Sequence, residues 1–315
     1  MTTATAIVAT AFGGPEVLAV VEKDVAAPGP AEVTIEVRAV GTNPVDYKLF
    51  SGYMGADEST LPQPVGFELA GVVTAAGADA GFAVGDEVIA FRVTGAYASA
   101  ITVPASDVFA KPSSVSFETA SGLLLVGTTA AHLLEAGKVV AGETVLIHGV
   151  AGSVGLVAAQ LAVQAGATVI GSAAEHRHAA LTEMGVVPVT YGEGLADRVR
   201  AAAPQGIDAA MDTVGTDEAV DVSWELLDES GASRDRLVSV AAFARAGDGV
   251  KLLGGGPGAD AGTEFRDAAR AGLVEALGAG RIELPVTKTF PLTEAAAALT
   301  FLAEGHAGGK VVLIP

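Results

Sequence analysis

The segment Val145-Leu-Ile-His-Gly-Val-Ala-Gly-Ser-Val-Gly155 decides how the chain is read. An apolar, β-branched run ends in a glycine turn, and the turn opens a helix expected over Ser153 to Gln164. The first N–H groups of such a helix have no partners within it and lie at the positive end of its dipole, which suits an anion. Gly152 lets the backbone approach a pyrophosphate, Gly155 lets the helix pack closely on the strand, and the phosphates are expected on Ser153 and Val154. The first slot of the Gly-x-Gly-x-x-Gly pattern holds Val150, with Gly149 one residue earlier, so the strand–turn–helix context carries the reading rather than the bare pattern. A turn that merely permits close packing in a βαβ unit is the competing reading.

Outward from this turn, strand and helix alternate. Strands are expected at Thr168–Ile170, Val186–Thr190, Ile207–Met211, Leu237–Val240 and Val250–Leu253. Helices are expected near Arg177–Met184, Asp197–Ala202, Ala219–Leu227 and Glu264–Leu277. Six strands joined by helical crossovers make a doubly wound parallel sheet, hence an α/β fold. The first 110 residues differ. Their β-branched runs at Val33–Val40, Leu69–Ala75 and Asp86–Ala90 are punctuated by Gly and Pro, which predicts an antiparallel, barrel-like lobe. The tail from Pro285, with a helix over Thr293–Ala303 and a strand over Val311–Ile314, is expected to fold back onto that lobe. A length of 315 residues suits two such domains.

Composition narrows the function. Asp and Glu outnumber Lys and Arg by 37 to 18, giving a charge of −19 that repels phosphate backbones and anionic lipid, so no nucleic-acid partner is expected. With no cysteine, disulfides, thiolate metal sites and thiol nucleophiles are excluded. The five histidines form no ligand pattern, and no metal is expected. The uncharged stretch from Thr144 to Ala174 is broken by five glycines and reads as strand, turn, helix and strand rather than a membrane span. Met1 to Thr10 lack a basic segment followed by a sustained apolar run, so no signal peptide is expected, and the lack of cysteine favours a cytoplasmic address.

The choice of dinucleotide is made near the end of the second strand of the unit. Enzymes that use NAD place a carboxylate there for the ribose 2′-hydroxyl. Here the residues are Gly171-Ser172-Ala173-Ala174, and Arg177 follows within reach of a 2′-phosphate. NADP is therefore favoured over NAD, with Glu175 as the opposing feature. Tyr191, after the third strand, is expected either to flank the adenosine or to be an ordinary loop aromatic.

Several further segments complete a resemblance. They are Phe12-Gly-Gly-Pro-Glu-Val-Leu18, Gly41-Thr-Asn-Pro-Val-Asp46, Gly66-Phe-Glu-Leu-Ala-Gly71, Gly85-Asp-Glu-Val88, Gly127-Thr-Thr-Ala130, Asp212-Thr-Val-Gly215 and Gly305-His-Ala-Gly-Gly-Lys-Val-Val-Leu313. With the glycine turn they resemble the zinc-independent quinone oxidoreductase, or zeta-crystallin-like, branch of the medium-chain dehydrogenase/reductases, over nearly the whole chain. The resemblance implies a GroES-like β-barrel catalytic domain (residues 1–121 and 282–315) and a Rossmann NADP-binding domain (residues 122–281) with a six-stranded parallel sheet. Metal-dependent members of that superfamily carry a His in a Gly-His-Glu motif and a ligating Cys upstream, where this chain has Phe67 and Asn43. Zinc would lack its imidazole and thiolate, which directs the expectation to hydride reduction of a quinone or an α,β-unsaturated carbonyl compound.

The resemblance also implies a nicotinamide pocket lined by Asn43, Thr128, Val214 and the run Val240, Ala241, Ala242, Phe243, with Lys310 near the cofactor. Asn43 is expected either to hydrogen-bond substrate or cofactor or to serve only as a turn residue before Pro44; Tyr53 and Lys48 are competing proton donors, and Ser172 with Arg177 should meet the adenosine ribose. Asp46 is expected to cap a helix, His148 to pack beside the glycine turn and His306 to lie in a surface turn. The Ala- and Gly-rich segment Ala241–Gly249 should leave a roomy wall. A homodimer through the Rossmann edge strand is what the resemblance implies, but Gly254-Gly-Gly-Pro-Gly258 interrupts that edge. The alternative function is a nucleotide-binding, crystallin-like or redox-sensing protein without turnover.

Overall fold

A computed structural model describes residues 2–53, 55–305 and 307–315, and His306 lies outside the described residues. The chain forms two compact units: residues 1–125, 271–280 and 284–315, and residues 126–270 with 281–283. Residues 271–280, expected in the nucleotide-binding domain, group instead with the first unit. The reason is local: Ser114 Oγ donates to the Gly278 carbonyl at 3.1 Å, and a Cβ on Gly278 would lie 2.8 Å from Pro112.

The first unit begins with a hairpin of β1 (Thr2–Ala9) and β2 (Leu18–Val25), followed by β3 (Glu32–Gly41) and helix α1 (Pro44–Phe50). Then come β4 (Gln63–Pro64), β5 (Glu68–Ala76), β6 (Glu87–Phe91), β7 (Ala100–Pro104), β8 (Val108–Ala110) and α2 (Phe117–Ser121). Helix α3 (Leu123–Ala136) leads into the second unit. That helix was not legible as one, because its apolar sequence has no polar stripe to mark a period.

In the second unit β9 (Thr144–His148), α4 (Ser153–Gln164), β10 (Thr168–Ser172), α5 (His178–Glu183), β11 (Val186–Val189), α6 (Leu195–Ala202) and β12 (Ala209–Asp212) alternate as expected. They continue through α7 (Asp217–Ser230), β13 (Leu237–Ser239), β14 (Lys251–Leu252) and α8 (Thr263–Gly278). The six strands run in the order β11-β10-β9-β12-β13-β14, and every neighbouring pair is parallel. This is the doubly wound order, whose direction of winding reverses at β9 and β12, where ligands of such sheets bind beyond the carboxyl ends. The uncharged stretch resolves into β9, α4 and β10, and no helix among the described residues is long and apolar enough to cross a membrane.

The chain closes with β15 (Val286–Pro291), α9 (Ala295–Ala303) and β16 (Lys310–Ile314). As expected, the tail returns to the first unit: β16 pairs antiparallel with β3 through Val312↔Gly41 and Leu313↔Val40. The resulting seven-stranded sheet runs β15-β16-β3-β5-β6-β8, with β7 also on β3. It is not wholly antiparallel, because β15 and β16 are parallel. The helical crossover α9 between them imposes that direction. Ile35, Val37, Leu69, Val88, Leu299 and Leu313 meet in its core, each such buried side chain contributing about 1.5–3 kcal/mol.

The β3–β5 pairing, irregular at Thr34/Ile35 and Val37/Ala39, needs Gly71. A Cβ there would collide with the Glu36 carbonyl and approach Ile35 Cγ2 to 2.7 Å. Gly71→Ala is expected to cost about 1–3 kcal/mol of stability, read as a lowered denaturant midpoint. An unchanged midpoint would contradict this packing.

Candidate functional site

The expected site residues fall into two groups, one in each unit. In the second unit, β9 ends at His148 and the chain turns at Gly149, which takes the left-handed conformation with φ +73°. Val150, the residue in the displaced glycine slot, is fully buried. Its side chain packs on Gly171 of β10, where a Cβ would come within 2.5 Å of it. The tight-turn requirement is thus met one residue early, and Val150 serves as an anchor. Gly155 packs against the same turn: a Cβ there would strike the Gly149 carbonyl and lie 2.8 Å from Val150 Cα.

Gly152 is the N-cap of α4 and supplies no side-chain hydrogen bond, so the leading N–H groups at Ser153 and Val154 carry no side-chain cap. Gly152 is exposed and both successors are half-buried. That geometry could hold a pyrophosphate. Ser172 is buried rather than open to a ribose: its Oγ lies 3.3 Å from His148 Nδ1 and accepts from the Gly149 N–H at 3.4 Å. His148 Nε2 meets Ser223 Oγ at 3.0 Å, and burial pushes its pKa down to about 4, so it packs beside the turn as a neutral ring. Arg177 is half-buried, and its guanidinium has no ion pair among the described residues. Tyr191 is half exposed.

Sequence reasoning missed the pair that organises the two loops beyond β12 and β13. Asp212 Oδ1 accepts from the N–H groups of Val214 and Gly215 at 2.9 and 3.0 Å. Ser239 Oγ donates to Asp212 Oδ2 at 2.6 Å and accepts from Ala241 and Ala242 N–H at 3.0 and 2.9 Å. One carboxylate and one hydroxyl therefore fix both Val214 and the Val240–Phe243 run. The roomy, unspecified wall expected over Ala241–Gly249 is corrected: a 3-10 turn over Phe243–Asp248 is pinned by Arg245 to Asp217, Asp221 and Asp248. Thr128 is fully buried on α3.

In the first unit, Lys310, Asn43, Glu68, Asp46 and Tyr97 are all buried together. Lys310 Nζ donates to Asn43 Oδ1 at 2.6 Å and to Glu68 Oε1 at 2.9 Å. Asn43 Nδ2 donates to Glu68 Oε1 at 2.8 Å, and the Leu125 N–H donates to Glu68 Oε2 at 2.9 Å. Asp46 Oδ2 accepts from the Asn43 backbone N–H at 2.7 Å, capping α1 as expected, and from Tyr97 Oη at 2.8 Å. Its Oδ1 has no hydrogen-bond partner among the described residues.

Two glycines make room for this cluster. A Cβ at Gly122 would come within 2.5 Å of the Lys310 stem, and one at Gly41 would lie 2.7 Å from Glu68 Oε1. Lys310, expected beside the cofactor, thus directs its ammonium to Glu68 and Asn43. Asn43, expected to meet substrate or cofactor, has its oxygen and one N–H already engaged. Glu68 could have been suspected from a lone carboxylate at the head of the apolar run Leu69–Ala75; Tyr97 carries no local signal. Lys48 is half-buried on α1, which lowers its pKa, and its Nζ lies 5.4 Å from the half-exposed Tyr53 ring.

Comparison with known proteins adds relatives to this geometry. Residues 29–113 match the family model of the alcohol dehydrogenase GroES-like domain, and residues 184–313 match that of a zinc-binding dehydrogenase. A quinone oxidoreductase of Pseudomonas aeruginosa is 33% identical over 97% of this chain and 98% of its own. The synaptic vesicle membrane protein VAT-1 homolog of Mus musculus is 35% identical over 66% of this chain, a match that spans about half (53%) of the mouse protein. The solved quinone oxidoreductase of Escherichia coli, complexed with NADPH, has a TM-score of 0.79 at 28% identity, covering 99% of this chain and 100% of that one.

A zinc ion would need a converging set of donor side chains. Phe67 and Asn43 carry neither an imidazole nor a thiolate, and Glu68 is engaged by Lys310. No group of three His, Cys, Asp or Glu side chains among the described residues could hold a metal ion. The residues present do not fit zinc.

Burial raises the Asp46 pKa from 3.8 to about 7, against the lowering by Tyr97, the Asn43 N–H and Lys310. The folded protein therefore holds this proton more tightly than the unfolded chain does. The contribution of Asp46 to stability is full below pH about 4 and is lost as pH rises through about 7. Asp46→Asn keeps an acceptor for Tyr97 but cannot ionise. Relative to the parent it should gain stability by at least about 1 kcal/mol between pH 4 and pH 8. A stability difference that stays constant across that range would contradict the raised pKa.

Proposed function

Because the chain belongs to the quinone oxidoreductase family of the medium-chain dehydrogenase/reductases, we propose that it is an NADPH-dependent oxidoreductase that reduces a quinone or an α,β-unsaturated carbonyl compound without a metal. The observation that carries this reading is the glycine turn at the head of α4, together with Arg177 and the absence of a carboxylate from Gly171 to Ala174. NADPH, when bound, supplies a hydride. The chain's own residues do the rest. Ser153 and Val154 offer N–H groups to the pyrophosphate, and the Arg177 guanidinium pairs with the 2′-phosphate. Asp212 and Ser239 hold the loops of Val214 and Val240–Phe243 in one geometry.

Asn43 orients the acceptor oxygen or the carboxamide of the cofactor. A quinone or enone is already electrophilic, so orientation contributes more than acid strength, and Tyr53 Oη or Lys48 Nζ returns a proton without being indispensable. Support for the metal-free route comes from the donor set: Phe67, Asn43 and a Glu68 neutralised by an ammonium.

Loss of NADPH absorbance with one quinone and one enone tests the proposal. Steady consumption that survives exhaustive chelation is expected. Tight NADPH binding without consumption would make the protein a nucleotide-binding crystallin-like or sensor protein, and turnover restored only by added zinc would overturn the metal-free route.

Cofactor preference is tested separately. Arg177→Ala should weaken NADPH binding by about 1.5–3 kcal/mol, the range of a charge-assisted hydrogen bond, and leave NADH binding nearly unchanged. Equal losses for both nucleotides would assign Arg177 to the fold.

A further inference from the structure

The Asn43 carboxamide has one acceptor oxygen and two N–H donors. Lys310 Nζ donates to the oxygen at 2.6 Å, and one N–H is spent on Glu68 Oε1 at 2.8 Å. The amide cannot be turned over in this setting. In the reversed orientation an N–H would face the ammonium and the oxygen would face the carboxylate, two repulsive contacts in a buried place. Glu68 and Lys310 are themselves fixed: Glu68 Oε2 accepts from the Leu125 N–H at 2.9 Å, and the Lys310 stem fills the space that a side chain at Gly122 would need. The backbone N–H of Asn43 is also committed, to Asp46.

We propose that Lys310 is a positioning residue: with Glu68 it locks the orientation of the Asn43 carboxamide so that its remaining N–H is the donor Asn43 can still offer, making this position a donor to carbonyl or quinone oxygen. An N–H so held strengthens its bond as the oxygen gains negative charge during reduction. The proposal rests on the reading of the chain as a reductase with Asn43 in its site. It departs from the sequence expectation of Lys310 near the cofactor in giving Lys310 no contact with it.

The test compares the parent, Lys310→Met and Lys310→Arg in turnover of one quinone and one enone, in NADPH affinity by fluorescence titration, and in the 15N–1H signals of the Asn43 side-chain amide. Lys310→Met should lower kcat about 10- to 100-fold, as for a misplaced orienting group, with NADPH affinity within about 3-fold. Lys310→Arg keeps the charge but not the point geometry of the ammonium, and it should fold normally with kcat reduced by a smaller factor. The amide signal should show slow proton exchange in the parent and lose that protection in Lys310→Met.

Turnover within about 3-fold of the parent in both variants would overturn the proposal. So would a loss confined to NADPH affinity, which would return Lys310 to the cofactor. If the parent turns over neither substrate, the reductase reading falls. The lock is then decided by the amide signal alone, and identical protection in parent and Lys310→Met would end it. If Lys310→Met does not fold, Lys310→Arg decides: a changed amide signal with lowered kcat supports the lock, and an unchanged pair of values overturns it.

Discussion

A lysine ammonium buried against a glutamate carboxylate is the constraint around which the first unit is arranged. Removing two such charges from water costs several kcal/mol each, and their attraction offsets this only if the remaining donors and acceptors are also satisfied. Here they are. Glu68 accepts from Lys310, from Asn43 and from the Leu125 N–H. The demand propagates through the sequence: Gly41 and Gly122 must lack side chains to leave room, and β16 must lie beside β3 to deliver Lys310. Asn43 then stands at the head of α1, with Asp46 fixing its backbone. A C-terminal strand, a glycine between two helices and an asparagine before a proline are thus parts of one electrostatic solution.

The second unit solves a comparable problem with neutral and singly charged parts. Its glycine turn is shaped by Gly149, Val150 and Gly171, and its loops by Asp212 and Ser239. In both units a buried carboxylate holds backbone or amide groups at the place where chemistry is assigned. Asp212 organises loops through N–H groups and a hydroxyl, with no cation among those partners, whereas Glu68 works through Lys310. Preorganisation of this kind suits the hydride transfer proposed above, where alignment matters more than proton strength.

The features that were legible in the sequence are those whose cause is local. Helix α4 spans Ser153–Gln164 as read, because a glycine turn fixes its start. The parallel order of the sheet follows from alternating strands and helices, and the return of the tail from its change in texture. What stayed hidden depends on partners distant in sequence. Lys310 and Glu68 are 242 residues apart, and Tyr97 and Asp46 are 51 apart. No spacing rule links such pairs. For the same reason Ala241–Gly249 read as an open wall, since the aspartates that grip Arg245 include two on α7.

The most direct measurement is a double-mutant cycle on Glu68 and Lys310, read by denaturant unfolding. Glu68→Gln and Lys310→Met should each cost about 3–5 kcal/mol, since each leaves a buried partner uncompensated. The double variant should cost less than the sum of the two by at least about 2 kcal/mol, because it removes both charges together. Losses that add to within about 0.5 kcal/mol would mean that the two side chains do not depend on each other, and the arrangement of the first unit around this pair would be contradicted.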